Sequence, residues 1–392
     1  MPTITRLEAS GLGVAHIFKT HIADYQRQYP LWPEHRKIVY DLLNCRTQYL
    51  GGQIERCDQC GAMRIAYHSC RNRHCPTCQH LPRERWLAQR KGEMLPVSYF
   101  HVVFTLPHAL NPIVLSNKRV MLPILFQSAS RTLLTFGENT LGGKLGFVAT
   151  LHTWDQKLNA HFHVHCLVAG GALSSDGLRW KPCGGNYLFN ARAMALMFRG
   201  KFMDRMKKAC QRPGLKMADH DFNRLKARLY EKPWIVDVRD PVKNPQHVLE
   251  YLARYTHRVA IANSRIKALK DGRVTFTYKN RKKARTEALT ITAVEFIRRF
   301  LLHSLPKRFV RIRHYGFLAN RYRSTNLAAI RRLMALPEPS GAPVTTVEGL
   351  LRQLTGIDIS VCPCCRKGKM HLFQKIPKGV ARPPNPLAYA AA

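Results

Sequence analysis

An α+β fold is expected for this chain, on three observations. Runs rich in β-branched and aromatic residues alternate with helical segments, a cysteine-rich stretch stands ahead of them, and a stretch rich in Lys and Arg but free of acid follows. They divide the chain into a helical and cysteine-rich region at 1–95, a domain of mixed strands and helices at 96–275, a basic C-terminal region at 276–375 and a Pro- and Ala-rich tail at 376–392. A length of 392 residues admits two or three domains, and 45% hydrophobic residues with 17 phenylalanines can build a core.

The elements follow in order. Residues 22–50 read as helical and run into Gly51-Gly52, and residues 82–94 read as a second helix. Residues 99–105, Tyr-Phe-His-Val-Val-Phe-Thr, read as a buried strand stopped by Pro107. A helix is expected over 112–136, strands at 145–154 and 161–168, and helices at 191–211 and 219–231. A strand at 233–238, a helix at 245–257 and strands at 273–279 and 287–292 complete the pattern.

Charge narrows the partner. The sequence carries 63 Lys and Arg against 24 Asp and Glu, a net charge of +39. A surface that basic meets a polyanion, and nucleic acid is the leading candidate. No run of eighteen apolar residues exists, and residues 1–18 lack the pattern of a signal peptide. A cytoplasmic, nucleoid-associated protein is therefore expected, in which the twelve cysteines serve metal rather than disulfides.

Cys57-Asp-Gln-Cys60 and Cys75-Pro-Thr-Cys78 are two C-x-x-C knuckles with fourteen residues between them. Each knuckle aims two thiolates at one ion, so Cys57, Cys60, Cys75 and Cys78 are expected to close one structural zinc site. Cys45, His68, Cys70 and His74 are candidates for a second site. Cys362-Pro-Cys364-Cys365 offers a single knuckle, with His371 as a companion. Arg56, Arg64, Arg71 and Arg73 suggest that the module grips a phosphate backbone.

His161-Phe-His163-Val-His165 is the most informative line. On a strand, alternate residues share a face about 7 Å apart, near enough for two imidazoles to converge on one ion. His161 and His165 are about 13 Å apart, too far to share one, and the apolar run that follows favours the pair His163 and His165. A third ligand must come from an adjacent strand. His152, eleven residues upstream of His163, is the first choice, and Gln156 and His101 are the alternatives. Such a site keeps open positions for phosphate oxygens.

Asn244-Pro245 starts a helix with Asn as cap and Pro in the first turn. Tyr251 and Tyr255 are four apart and share a face, with Arg254 and Arg258 close by. A phenol becomes a useful nucleophile when a metal polarises the attacked phosphate and arginines stabilise the charge that develops. Between Glu295 and Glu338 no acid occurs, while ten Lys and Arg do. Phe296, Phe300, Phe309, Tyr315, Phe317 and Tyr322 are interleaved with them. Phe296 and Phe300 have the spacing of core residues. The segment holding Arg311, Arg313, Arg321 and Arg323 suits single-stranded DNA, where bases stack on aromatics.

Over residues 25–335 the chain resembles the rolling-circle transposases of the IS-ninety-one insertion-sequence family, in the HUH endonuclease superfamily. The resemblance rests on the stretch ending Ser69-Cys70-Arg71-Asn72-Arg73-His74-Cys75-Pro76, on Phe104-Thr105-Leu106-Pro107, and on His163-Val164-His165. The Tyr251/Tyr255 helix and Arg313-His314-Tyr315-Gly316-Phe317 complete it. It implies a ferredoxin-like nuclease core with the histidines on a central strand, a catalytic magnesium or manganese ion, and a covalent 5′-phosphotyrosine that leaves a free 3′ hydroxyl. The implied partners are single-stranded element ends and target DNA, with no membrane and room for an oligomer. A plasmid replication initiator or relaxase with the same chemistry is the alternative enzyme. A non-catalytic zinc-containing DNA-binding protein is the alternative from another class.

Overall fold

The computed structural model describes residues 5–6, 11–185, 187–212, 214–242, 247–248, 259–280, 283–337 and 346–379. In chain order the strands are β1 (Thr5–Arg6), β2 (Gly52–Cys57), β3 (Met63–Tyr67), β4 (Tyr99–Thr105), β5 (Lys144–Trp154), β6 (Ala160–Leu173) and β7 (Trp180–Pro182). They continue with β8 (Ile235–Val242), β9 (Ile266–Lys270), β10 (Arg273–Asn280), β11 (Arg285–Thr292), β12 (Ile312–Gly316) and β13 (Met370–Ile376). The helices that matter below are α1 (Val14–Gln28), α2 (Pro33–Leu43), α3 (Lys118–Phe136), α4 (Ala191–Cys210) and α5 (Ala293–Leu302).

The expected helix over 22–50 is two helices, α1 and α2. Pro30 forces the preceding Tyr29 into extended backbone, φ −137° and ψ 137°, and Pro33 starts the next helix where its missing N–H costs nothing. The strands expected at 99–105, 145–154, 161–168, 233–238, 273–279 and 287–292 all occur as β4, β5, β6, β8, β10 and β11, with shifted ends. Strands β1, β2, β3, β7, β9, β12 and β13 add to these. The helix expected at 245–257 falls almost entirely outside the described residues.

Contacts divide the chain into two units: residues 1–88, 261–304 and 342–392 form one, and residues 89–260 and 305–341 the other. Of the region 276–375, residues 276–304 and 346–375 fall in the first unit and residues 305–337 in the second. In the first unit β13 pairs with β2, which pairs with β3, and β1 lies parallel to β3. Phe18 of α1 meets Phe300 of α5 edge to face at 5.3 Å. Strands β11, β10 and β9 form a separate antiparallel sheet in the same unit.

The second unit is the α+β core that the sequence predicts. Its antiparallel sheet has the order β12-β5-β6-β4-β8, with β7 paired to the end of β6. Phe100, Val102 and Phe104 of β4, Phe147 and Leu151 of β5, and Phe162, Val164 and Val168 of β6 face one way. They join Leu122, Leu125, Phe126 and Leu133 of α3 and Phe198 and Phe202 of α4 in one continuous core. Period-two alternation therefore sends the intervening residues, among them His101, His152, His163 and His165, to the other face.

Strand β12 is fastened to β5 by close approach. Its register is Tyr315 opposite Phe147 and Gly316 opposite Gly146. A Cβ on Gly146 would come within 2.3 Å of the Phe317 ring, and a Cβ on Gly316, at φ +62°, would come within 1.5 Å of the Leu145 carbonyl oxygen. We expect Gly316→Ala to lower stability by about 3 kcal/mol or more, since it adds a backbone clash to a left-handed conformation. Gly177→Ala, at φ +75° with nothing within 4 Å, should cost only about 1 kcal/mol. Equal losses for the two variants in thermal or urea unfolding would show that β12 does not depend on that approach.

Candidate metal centres

The pairing of β5 with β6 sets Thr150 opposite His165 and His152 opposite His163, all on the face away from α3 and α4. On the other side of β6, Val103 of β4 lies opposite His165 and Thr105 opposite His163. Strand alternation brings His163 and His165 together, and register adds His152. One ligand nitrogen from each of His152, His163 and His165 lies within 4.8 Å of the other two. All three side chains are nearly inaccessible to solvent, at 2%, 8% and 9% exposure.

The neighbours fix how these rings are turned. His163 Nδ1 lies 3.0 Å from the His161 carbonyl oxygen. A carbonyl only accepts, so this nitrogen carries the proton and Nε2 is the ligating atom. His165 Nδ1 lies 2.8 Å from His101 Nε2, with the two rings parallel to within 5°. That contact engages Nδ1 and makes Nε2 the ligating atom of His165 as well. His101 thus stands behind the group. Trp154 stacks on His152 at 5.0 Å. His161, the remaining histidine of the strand, stacks on His108 at 5.2 Å and stays out of the group. Three neutral imidazoles with no carboxylate suit a divalent transition ion better than magnesium, which prefers oxygen.

The cysteines converge, but not in the set that spacing suggested. Cys57 and Cys60 lie with Cys362 and Cys365, while Cys75 and Cys78 lie with Cys45 and Cys70. The reason is the β2–β3 hairpin, whose second strand lies inside the fourteen-residue spacer and whose register runs from Arg56 opposite Met63 to Gly52 opposite Tyr67. Cys57 and Cys60 sit at its turn. Cys45 precedes β2 and Cys70, Cys75 and Cys78 follow β3, so these four sit at the hairpin's open end. Five residues of strand separate the two ends by about 17 Å. In the open-end group Sγ–Sγ distances are 3.4 Å for Cys45–Cys78, 3.6 Å for Cys70–Cys78 and 3.8 Å for Cys75–Cys45. Cys45 and Cys70 were among the candidates for a second site, whereas His68, His74 and His371 belong to neither group. The unpaired Cys45 and Cys70, one on either side of the first knuckle, were the sequence signal for this arrangement.

Tyr251, Arg254, Tyr255 and Arg258 lie outside the described residues. The basic segment is described, and most of its aromatics are structural. Phe296, Phe300 and Phe317 are buried, Tyr315 stacks on Phe147 at 5.2 Å, and Phe309 packs on the core. Arg313 lies over the Phe126 ring at 4.2 Å, and Arg323 pairs with Glu93 at 3.2 Å. Arg311 is half-buried. Arg321 and Tyr322 are exposed and stack on one another at 5.2 Å, which keeps them available to a nucleic acid.

Two family models match the chain: one described as "Transposase zinc-binding domain" over residues 17–106, and one described as "Putative transposase" over residues 146–326. The chain is 42% identical to "Putative transposase y4qJ" of Sinorhizobium fredii over 96% of this chain and 98% of that protein. It is 26% identical to "Transposase for insertion sequence element IS801" of Pseudomonas savastanoi pv. phaseolicola, over 84% of this chain and 81% of that protein. No solved structure matches. The zinc-binding match includes all four cysteines of the open-end group and Cys57 and Cys60, but not Cys362 or Cys365.

His314 of β12 supplies an electrostatic test. Burial, with Arg90 and Arg323 nearby, lowers its pKa from 6.5 to about 4, and Arg90 Nη1 donates to its Nε2 over 3.4 Å. The ring is therefore neutral at pH 7. In the unfolded chain it takes up a proton near pH 6.5, so the fold loses stability as pH falls from about 6.5 to about 4, by up to about 3 kcal/mol. His314→Gln should flatten that part of the stability–pH curve. An unchanged slope in the variant would exclude His314 as its source.

Proposed function

This chain belongs to the IS-ninety-one family of transposases, and on that premise we propose that it cuts and rejoins single-stranded DNA through a tyrosine–5′-phosphate intermediate, at a divalent metal held by His152, His163 and His165. The observation that carries this reading is the buried imidazole trio across β5 and β6. The cell would supply magnesium or manganese, and the all-nitrogen donor set favours manganese. A bound ion neutralises the scissile phosphate and polarises it towards attack.

The chain's own residues supply the rest. Neutral imidazoles leave the ion's positive charge undiminished for the phosphate. Tyr251 and Tyr255, one helical turn apart by sequence, offer two phenols to one phosphate. The phenol oxygen of one forms a bond to phosphorus as the bond from phosphorus to the 3′ oxygen breaks. The phenol's proton ends on that oxygen, which leaves as a 3′ hydroxyl while the 5′ phosphate stays on the tyrosine. The second phenol permits another cut before the first strand is released, as transfer from donor to target requires. Arg254 and Arg258 would stabilise the charge on the phosphate. The basic surface, with Arg311 and Arg321 among its members, holds the strand electrostatically.

A replication initiator or relaxase would share this chemistry. The zinc-binding match and the names of both relatives favour transposition. A DNA-binding protein without catalysis would have no use for the buried trio. Among the described residues no helix is long and apolar enough to cross a membrane, and we place the protein in the cytoplasm with the nucleoid.

Incubation with a labelled single strand bearing the element's end, in manganese, should yield a covalent adduct that mass spectrometry places on Tyr251 or Tyr255. Each single Phe variant should still cleave but lose efficient strand transfer, and the double variant should form no adduct. An adduct on a serine, or on a tyrosine elsewhere, would defeat the mechanism. His163→Ala should weaken manganese binding about a hundredfold in calorimetry and abolish cleavage, with DNA affinity nearly unchanged. Cleavage at the wild-type rate in that variant would refute the assignment of the metal site.

A further inference from the structure

We propose that Cys57, Cys60, Cys362 and Cys365 hold a second structural zinc ion, which clasps the C-terminal segment onto the N-terminal zinc-binding region. Cys57 Sγ lies 3.7 Å from Cys365 Sγ, and Cys60 Sγ lies 3.7 Å from Cys362 Sγ. A tetrahedral site with zinc–sulfur bonds near 2.3 Å has edges of about 3.8 Å, so the thiols already stand at the separations zinc requires. A disulfide would need about 2.05 Å.

The two knuckles are built alike. The residue after the second cysteine turns through left-handed backbone in both, Gly61 at φ 68° and Arg366 at φ 58°. Each knuckle aims a backbone N–H at sulfur: Gln59 N–H donates to Cys57 Sγ over 3.4 Å, and Gly368 N–H to Cys365 Sγ over 3.3 Å. Such donors hold each sulfur in a fixed orientation. The knuckles are also joined to each other. Asp58 N–H donates to the Lys369 carbonyl oxygen over 3.1 Å, and Asp58 Oδ1 accepts from Lys369 N–H over 2.8 Å. Gly368 makes this approach possible, since a Cβ there would come within 2.5 Å of Cys57 Sγ. Directly beyond the knuckle, β13 pairs with β2 from Met370 opposite Cys57 to Ile376 opposite Gly52.

A metal supplements the β13–β2 pairing, because the segment buries little apolar surface. Its contribution to buried apolar clusters is Cys362 and Ile376, with Met370 and Cys365 partly covered. The other buried members, Ile54, Met63, Ile65, Cys57 and Ala62, come from the hairpin. So small a core does not offset the ordering of about twenty residues together with closure of a loop of some three hundred. Zinc bound to four thiolates does, and the site has no open position for catalysis. The inference is independent of the nuclease reading.

The test is metal analysis of the purified full-length protein. Wild type should carry two zinc ions per chain, Cys362→Ser/Cys365→Ser one, and Cys75→Ser the other. In the double variant the segment 357–379 should be cut from the chain about tenfold faster by a protease. Cys362→His keeps a four-ligand set, and should retain both ions and change the visible spectrum of the cobalt-substituted protein. One zinc in the wild type, two in the double variant, an unchanged cobalt spectrum, or disulfides joining Cys57 or Cys60 to Cys362 or Cys365 would each overturn the proposal.

Discussion

The register between β5 and β6 is the constraint on which the candidate nuclease site rests. Because side chains alternate along a strand, a slip of one residue would carry His152 to the face occupied by Leu151 and bury it among phenylalanines. The same slip would expose Phe147 and Leu151. Burial of those two against α3 and α4 therefore specifies the placement of His152 opposite His163. The hydrophobic layer sets the position of the polar one.

The remaining histidines show how such a site is kept rigid. His101 and the His161 carbonyl each engage an Nδ1 atom, so two rings present Nε2 in a fixed orientation before any ion arrives. Trp154 holds the third ring by stacking. These contacts come from β4, from β6 itself and from β5, so the supporting shell is as dispersed in sequence as the ligand group.

The basic charge is less available for DNA than its amount suggests. Arg313 is spent on Phe126, and Arg323 on Glu93 in a network with Arg90 and His314. Tyr315 and Phe317 fasten β12 to β5. The motif at 313–317 thus closes the sheet edge, and DNA contact from this segment falls to exposed residues such as Arg321 and Tyr322.

Local pattern determined a good deal. β-Branched and aromatic content identified β4, strands were also expected at β5 and β6, and alternation put His163 and His165 on one face. The two knuckles announced metal, and the composition announced a polyanionic partner. The sequence also named His152, though only among three candidates, since register depends on which residues a sheet buries and not on spacing. The cysteine partnership was only hinted at in the sequence, by the extra Cys45 and Cys70. Knuckle spacing describes a pair of ligands, not their partner pair, and a five-residue hairpin holds Cys57 and Cys60 apart from Cys75 and Cys78. Which thiolates meet is decided by where β13 pairs, some three hundred residues further on, and no local signal encodes a contact between segments that only the folded chain brings together.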